Sequence, residues 1–227
     1  MIAFGYLCLV IAFGDTIAGT LGRNFSRLER AATAFLIGLI VGTSLTYYSA
    51  LAFSTVAQPL VPGNVVAACM MGLVVASGVL LARSRGTAVL PATGRPATLE
   101  HDLWSERGDG VVLAILAVFV SWMMTSTYHD GKGDLWIGRS LWSDFGATTA
   151  IAQSFALGHN YPPQHPHFSG PPILYHFMFY FQVGNLTFLG LQPAQANNIL
   201  SIGSMVSLLA LVMSLGRCVF RSAAVGR

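Results

Sequence analysis

Side chains able to do acid–base or metal chemistry concentrate in one segment of the sequence. Residues 128–176 hold three of the nine acids (Asp130, Asp134, Asp144) and five of the six histidines (His129, His159, His165, His167, His176). Asp144 stands where a helix is expected to begin. As a helix cap it would satisfy free N–H groups and suit the local dipole, which lowers a carboxyl pKa; partial burial at a membrane surface would raise it and favour a general base. Both readings stand at this level. Asp130 and Asp134, four apart with Gly131 and Gly133 between, can offer carboxylate oxygens to a divalent cation or decorate a solvated glycine-rich turn. His165-Pro166-His167, with His159 near in sequence, brings imidazoles together, but a metal needs deprotonated ligands in fixed geometry. Surface histidines are the plain reading, and no metal centre is assigned. His176 falls at the start of an apolar run, where an ionisable group is costly and marks either a functional site or an interfacial ring. Asp15, inside the first apolar run, has the same status, with charge compensation at its Arg-rich end as the plainer account.

The elements that must position these residues follow from composition. Of 227 residues, 54% are hydrophobic and 9% charged, with a formal net charge of +3. Ordinary globular chains carry about 25% charged residues, and the mean hydropathy here is +0.62. This excludes a soluble domain, a disordered tail, a nucleic-acid binder and a small disulfide scaffold. Cys8, Cys69 and Cys218 show no ligand spacing, and the first two are expected as buried small hydrophobes. Six runs approach the roughly 20 apolar residues that cross a bilayer: 2–21, 31–53, 64–82, 111–127, 172–191 and 199–215. The expected fold is all-α, a polytopic bundle of about six spans. Gly38, Gly42 and Ser44 mark the second run as a closely packed member.

Lys and Arg near span ends are retained on the cytoplasmic side. Arg23, Arg27 and Arg30 lie between the first two runs, Arg83, Arg85, Arg95 and Arg107 between the third and fourth, and residues 57–63 carry none. The N-terminus is therefore expected outside and the segment 128–170 extracytoplasmic, in an inner (plasma) membrane. Six spans would then leave Arg217, Arg221 and Arg227 outside, against the rule. A chain cut short, whose tail lacks its natural continuation, is the expected explanation. Residues 84–110 carry Pro91, Gly94, Pro96, Gly108 and Gly110 with four acids and read as an exposed cytoplasmic linker. It divides a three-span leader, 1–83, from a functional portion, 111–227. Within the external loop, 143–157 is expected as a helix lying in the interface, capped by Ser143 or Asp144, ended by Gly158, with Phe145, Thr148, Ala152 and Phe155 on one face. Trp136 and Trp142 are expected at the membrane surface.

A span followed at once by an Asp-bearing loop, an interfacial helix, the turn Gly158-x-Asn160-Tyr161-Pro162-Pro163 and Tyr175-His176-Phe177 resembles the first external loop of GT-C-type membrane glycosyltransferases, the protein mannosyltransferase-like and aminoarabinose-transferase-like proteins. The turn from Arg27 to Ala32 is similar to the extra N-terminal helices of some bacterial members. The likeness covers 111–215 well and the first three spans loosely. It implies transfer of a sugar from a polyprenyl-phosphate carrier to an extracytoplasmic acceptor, with membrane lipid as the other partner. Asp144 would be the loop carboxylate that acts as base, and Asp134 the second choice. Arg139, Lys132 and a protonated His176 would face the departing phosphate, with Tyr175 and His159 among the substrate contacts. A divalent cation at Asp130 and Asp134 is the one cofactor considered. Family members have more spans, and many carry Glu after the catalytic Asp where Phe145 stands here, so the chain would correspond to the front half of such an enzyme. The competing reading is a non-catalytic subunit or small transporter whose external loop binds a partner. A transporter would need polar groups at mid-bilayer, for which the runs offer Asn185, Asn197 and Asn198.

Overall fold

The computed structural model describes residues 2–21, 25–85, 99–131, 133–168 and 170–220. The described chain runs α1 (Ile2–Leu21), α2 (Arg27–Ala52), α3 (Leu60–Arg85), α4 (Leu99–Thr127), β1 (Tyr128–Gly131), β2 (Asp134–Ile137), α5 (Trp142–Ala156), α6 (Met178–Phe188) and α7 (Pro193–Phe220). The architecture is helical apart from one antiparallel hairpin, β1–β2, which the hydrophobic pattern did not announce. Gly131 pairs with Asp134 at its tip, where Gly133 takes the left-handed φ of +89° that favours glycine. Half of the expected linker is helix, since α4 already starts at Leu99; residues 86–98 lie outside the described set.

Among the described residues five helices, not six, are long and apolar enough to cross a membrane: α1, α2, α3, the 108–127 part of α4, and α7. The expected fifth span, 172–191, fails. Its helix forms only over Met178–Phe188, 11 residues, or about 16 Å at the α-helical rise, against the roughly 30 Å hydrocarbon layer. Pro171 and Pro172 cannot donate to a helix, and residues 172–177 run outside it. At the other end Gly190 adopts φ +103° and its N–H bonds Thr187 O at 3.0 Å, closing the helix. The apolar character of α6 serves protein packing: Phe181, Gln182, Val183, Gly184, Asn185 and Leu186 are all buried.

An odd count of spans changes where the charges meet. Asp15 near the end of α1 takes a two-pronged hydrogen bond from Arg30 at the start of α2, at 2.5 and 2.7 Å. Arg23, the expected compensating end, lies outside the described residues. Ser214 near the end of α7 donates to Glu29 of α2, and Arg217 pairs with Asp109 of α4, whose side chain is 1% exposed. The end of α3 joins them, since Gly78 to Ala82 share a cavity wall with Asp15 and Arg30. Arg217 therefore stands at the same end of the bundle as Arg30, not at the opposite end that six spans would require. Arg221 and Arg227 fall outside the described residues.

Local chemistry explains the helix starts and crossings. Ser26 and Glu29 form a reciprocal capping box at the start of α2. α1 and α2 cross where Gly14 faces Gly38: a Cβ on Gly14 would lie 1.9 Å from Ala34 O, and one on Gly38 2.2 Å from Val10 O. Only the absence of side chains permits that approach. One apolar core runs from Ala3, Val10 and Phe13 of α1 through Ala67 and Met71 of α3 to Val183 and Leu186 of α6 and Leu200 of α7. A second, at the hairpin end, joins Tyr47, Leu60, Ile151, Phe155, Tyr161 and Phe181, so the loop elements are roofed onto α2 and α3. Large side chains such as Leu73 and Val118 remain about 70% exposed, as lipid-facing positions should. Cys8, Cys69 and Cys218 are free and exposed, the first two against the expected burial; an apolar run in a span has an outer face that needs no burial in protein.

Candidate functional site

α5 puts Asp144 in its first turn. The helix begins after Leu141, whose φ and ψ are −116° and 2°, with no side-chain cap. The expected capping role of Ser143 or Asp144 is thus not used. Asp144 N–H bonds Leu141 O at 3.2 Å, and its carboxylate is left exposed. The expected face is partly right: Ala152 and Phe155 are buried with Ile151 and Ala156, while Phe145 stacks on Tyr128 at a 4.5 Å centroid separation. The helix is pinned on α6 where Gly184 meets Ala152 O; a Cβ there would approach to 2.3 Å.

Beside Asp144 opens a cavity of about 580 Å³. Ser143, Asp144, Phe145, Thr148 and Ile151 supply one wall, Met124 of α4 another, Phe179 and Tyr180 of α6 a third, and Asn197 and Ser201 of α7 the last. His165 and Tyr175 reach in from the connecting segment. Its polar groups are one carboxylate, two phenols, one imidazole, one amide and several hydroxyls, and among the described residues no Lys or Arg lines the wall. Burial, then the neighbouring Tyr175, push the Tyr180 phenol up to about 12, with the Asp144 carboxylate acting in the same direction and Thr148 against it. The phenol accordingly holds its proton at neutral pH and serves as a donor. His165 Nδ1 accepts from His167 N–H at 3.3 Å, which leaves Nε2 as the protonated nitrogen.

The other candidates disperse. Asp134 is exposed at the hairpin tip and is not in the cavity wall. Asp130, its expected partner in cation binding, turns the other way: its Oδ2 accepts Ala194 N–H at 3.1 Å and Gln195 N–H at 3.2 Å, capping α7. Among the described residues no cluster of three or more His, Cys, Asp or Glu is gathered. Arg139 is exposed outside the wall, and Lys132 lies outside the described residues. His176 is exposed in the non-helical stretch before α6, not inside a span; its ring lies 3.7 Å from that of Tyr175 and 6.1 Å from that of Tyr180. His159 takes φ +48° in the turn and does not reach the cavity. That turn has a structural job: Asn160 donates to Gln164 O at 2.7 Å and Ser154 Oγ at 3.0 Å, and accepts Gln164 N–H at 2.8 Å. Tyr161 is buried in the aromatic cluster, where burial and then Tyr47 push its phenol up.

Tyr180 and Ser201 escaped the sequence reading, which placed Thr148 on the helix face and Asn197 among polar groups in an apolar run without assigning either to this site. The only signal for Tyr180 and Ser201 was a polar side chain in an otherwise apolar run. No family model, curated protein or solved structure matches the chain. The site must therefore be read from its own geometry.

A second polar group sits inside the bundle. Tyr6 of α1 hydrogen-bonds Thr46 of α2 at 2.8 Å, and Asn64 of α3 donates to Asn185 of α6 at 2.7 Å. The Tyr6 phenol also lies beside the Gln182 and Asn185 amides. Thr43 Oγ1, both amide atoms of Gln182 and Asn185 Nδ2 are buried without a hydrogen-bond partner. Each such group costs about 1–3 kcal/mol if left unmet. Crevices flank the cluster, one of about 530 Å³ reaching Tyr6 and Asn64 and one of about 270 Å³ reaching Thr43 and Gln182.

Proposed function

We propose that this chain is a polyprenyl-phosphate-dependent membrane glycosyltransferase, or the part of one that carries its loop carboxylate. The observation that supports this reading is Asp144: an exposed carboxylate on the first turn of α5, beside a cavity walled by α4, α5, α6 and α7 at the bundle end away from Asp15, Arg30 and Arg217. With positive charge retained inside, that Arg-bearing end is cytoplasmic, and the cavity opens on the extracytoplasmic side of the inner membrane.

The groups in the wall can support such a reaction. An acceptor hydroxyl beside Asp144 attacks the anomeric carbon, forming the new C–O bond as the bond from that carbon to the phosphate oxygen breaks. The acceptor proton passes to Asp144, and the bonding pair leaves with the polyprenyl phosphate. One general base suffices because phosphate is already a competent leaving group. Charge growing on it is met by neutral donors, Tyr180, Tyr175 and His165 Nε2, which line the cavity where the expected Arg139 and His176 do not.

The test is transfer of a labelled sugar from a polyprenyl-phosphate donor in proteoliposomes. Asp144→Asn should lower turnover by about 10²–10⁴-fold, the range of general-base contributions, with the melting temperature unchanged. Retained turnover removes Asp144 from this role. A second reading, a small transporter, is favoured by the uncharged polar cluster of Tyr6, Thr46, Asn64, Gln182 and Asn185 within the bundle. It predicts solute flux that Gln182→Leu abolishes and Asp144→Asn spares.

A further inference from the structure

The crevice of about 270 Å³ between α2 and α6 has two kinds of lining. Leu39, Ile40, Met178 and Phe179 make apolar walls, and Thr43 and Gln182 form the polar floor. Gln182 is 1% exposed and Thr43 5%; the Thr43 hydroxyl has no hydrogen-bond partner, and the Gln182 amide, though beside the Tyr6 phenol, makes no bond of full hydrogen-bond geometry. Among the described residues, nothing that lines this crevice is ionisable. Ile40, 65% exposed at its mouth, lies within the membrane-crossing helix α2, so the crevice opens sideways toward lipid.

These features restrict the occupant. A hydrocarbon chain would fill the walls and leave an amide and a hydroxyl unmet, which is unfavourable in a buried setting. A phosphate or ammonium head would enter a site without a counter-ion, at a larger desolvation cost. The complement is a molecule with an apolar body and a small uncharged head that both donates and accepts. From these residues we infer that the α2–α6 crevice binds a lipid of the diacylglycerol class. Its free hydroxyl donates to Gln182 Oε1, an ester carbonyl accepts from Gln182 Nε2 or Thr43 Oγ1, and the acyl chains leave past Ile40. The volume holds a glycerol-sized head and not the chains. Phe179 lines both this crevice and the Asp144 cavity, so the lipid would lie next to that cavity; the inference does not depend on sugar transfer taking place there.

The experiment uses the full chain in phosphatidylcholine vesicles with two photoactivatable probes of identical acyl chains, diacylglycerol and phosphatidylglycerol. Cross-links are mapped by mass spectrometry. The expected result is diacylglycerol labelling concentrated on residues 39–44 and 178–182 and at least tenfold above that of phosphatidylglycerol. Gln182→Leu, which removes the unmet amide, should reduce this labelling about tenfold while keeping or raising the melting temperature, and Thr43→Val should reduce it as well. Equal labelling by the two probes, labelling spread over all lipid-facing helices, or undiminished labelling of Gln182→Leu overturns the assignment. Should Gln182→Leu fail to fold, the probe ratio on the unaltered protein and the Thr43→Val result decide it.

Discussion

Tyr180 shows how a single residue acquires chemistry that its type does not announce. Its phenol is pushed up to about 12 by burial, by Tyr175 and by the Asp144 carboxylate, against an ordinary value near 10. Between those two values the unfolded chain has released a proton that the folded chain keeps, so the unfolded state binds fewer protons and stability declines with rising pH. The stabilising contribution is complete below about pH 10 and is lost as pH passes through about 12. Ultraviolet titration of phenolate formation should therefore show a late step near 12 that Tyr180→Phe removes. Asp144→Asn should move the step lower, because a repelling charge has gone. A Tyr180 titrating like free tyrosine would sink the account of this phenol as buried beside the Asp144 carboxylate. At the same scale, Asp130 illustrates a carboxylate whose role is fixed by a partner 64 residues away, at Ala194. Spacing to Asp134 carried no trace of that.

At the scale of elements, two contacts set how helices meet. The α1–α2 crossing depends on Gly38, where a Cβ would stand 2.2 Å from Val10 O. Gly38→Val must separate the backbones and should cost about 1–3 kcal/mol or more, read as a lower melting temperature in detergent. Gly5→Ala on the same α1, with nothing within 4 Å, is the control and should be neutral. Helix α4 packs chiefly on α7 and β1, and Asp109 in its first half pairs with Arg217 of α7. Losing this charge-assisted contact costs about 1.5–3 kcal/mol. Asp109→Asn should therefore lower the melting temperature, and the paired replacement Asp109→Leu with Arg217→Met should recover most of the loss. A paired variant no better than the single one would show that the bond does not act as a unit. The small-residue content of these helices was legible in the sequence. Which glycine faces which was not, since that needs the crossing angle.

For the whole molecule, the count of crossing helices decides the topology. If the five candidate helices among the described residues cross the membrane, Arg30, Arg83 and Arg217 share one side and the hairpin and α5 lie on the other. Single cysteines placed at Arg83 and Arg217, in a background where Cys8, Cys69 and Cys218 are replaced, should react with an impermeant thiol reagent only when the cytoplasmic face is open. A cysteine at Trp136 should react from outside. Labelling of Arg217→Cys and Trp136→Cys from the same side would refute five spans. The six-span expectation had to invoke a missing continuation to explain the Arg-bearing tail. Shortening 172–191 to the helix of Met178–Phe188 removes that conflict.

Composition and hydropathy were enough to read the membrane class, the helical fold, the end at which cations gather and the loop that holds the titratable groups. Each follows from solvation energy summed over a stretch of chain, a quantity that needs no knowledge of neighbours. The tertiary structure alone decided which apolar run is buried by protein rather than lipid, because hydropathy scores both environments alike. It alone brought Asp144 together with Tyr180, Asn197 and Ser201, and Gln182 with Thr43. Those groups come from separate helices, and hydrogen bonds and cavities depend on distances between elements that one-dimensional spacing does not encode.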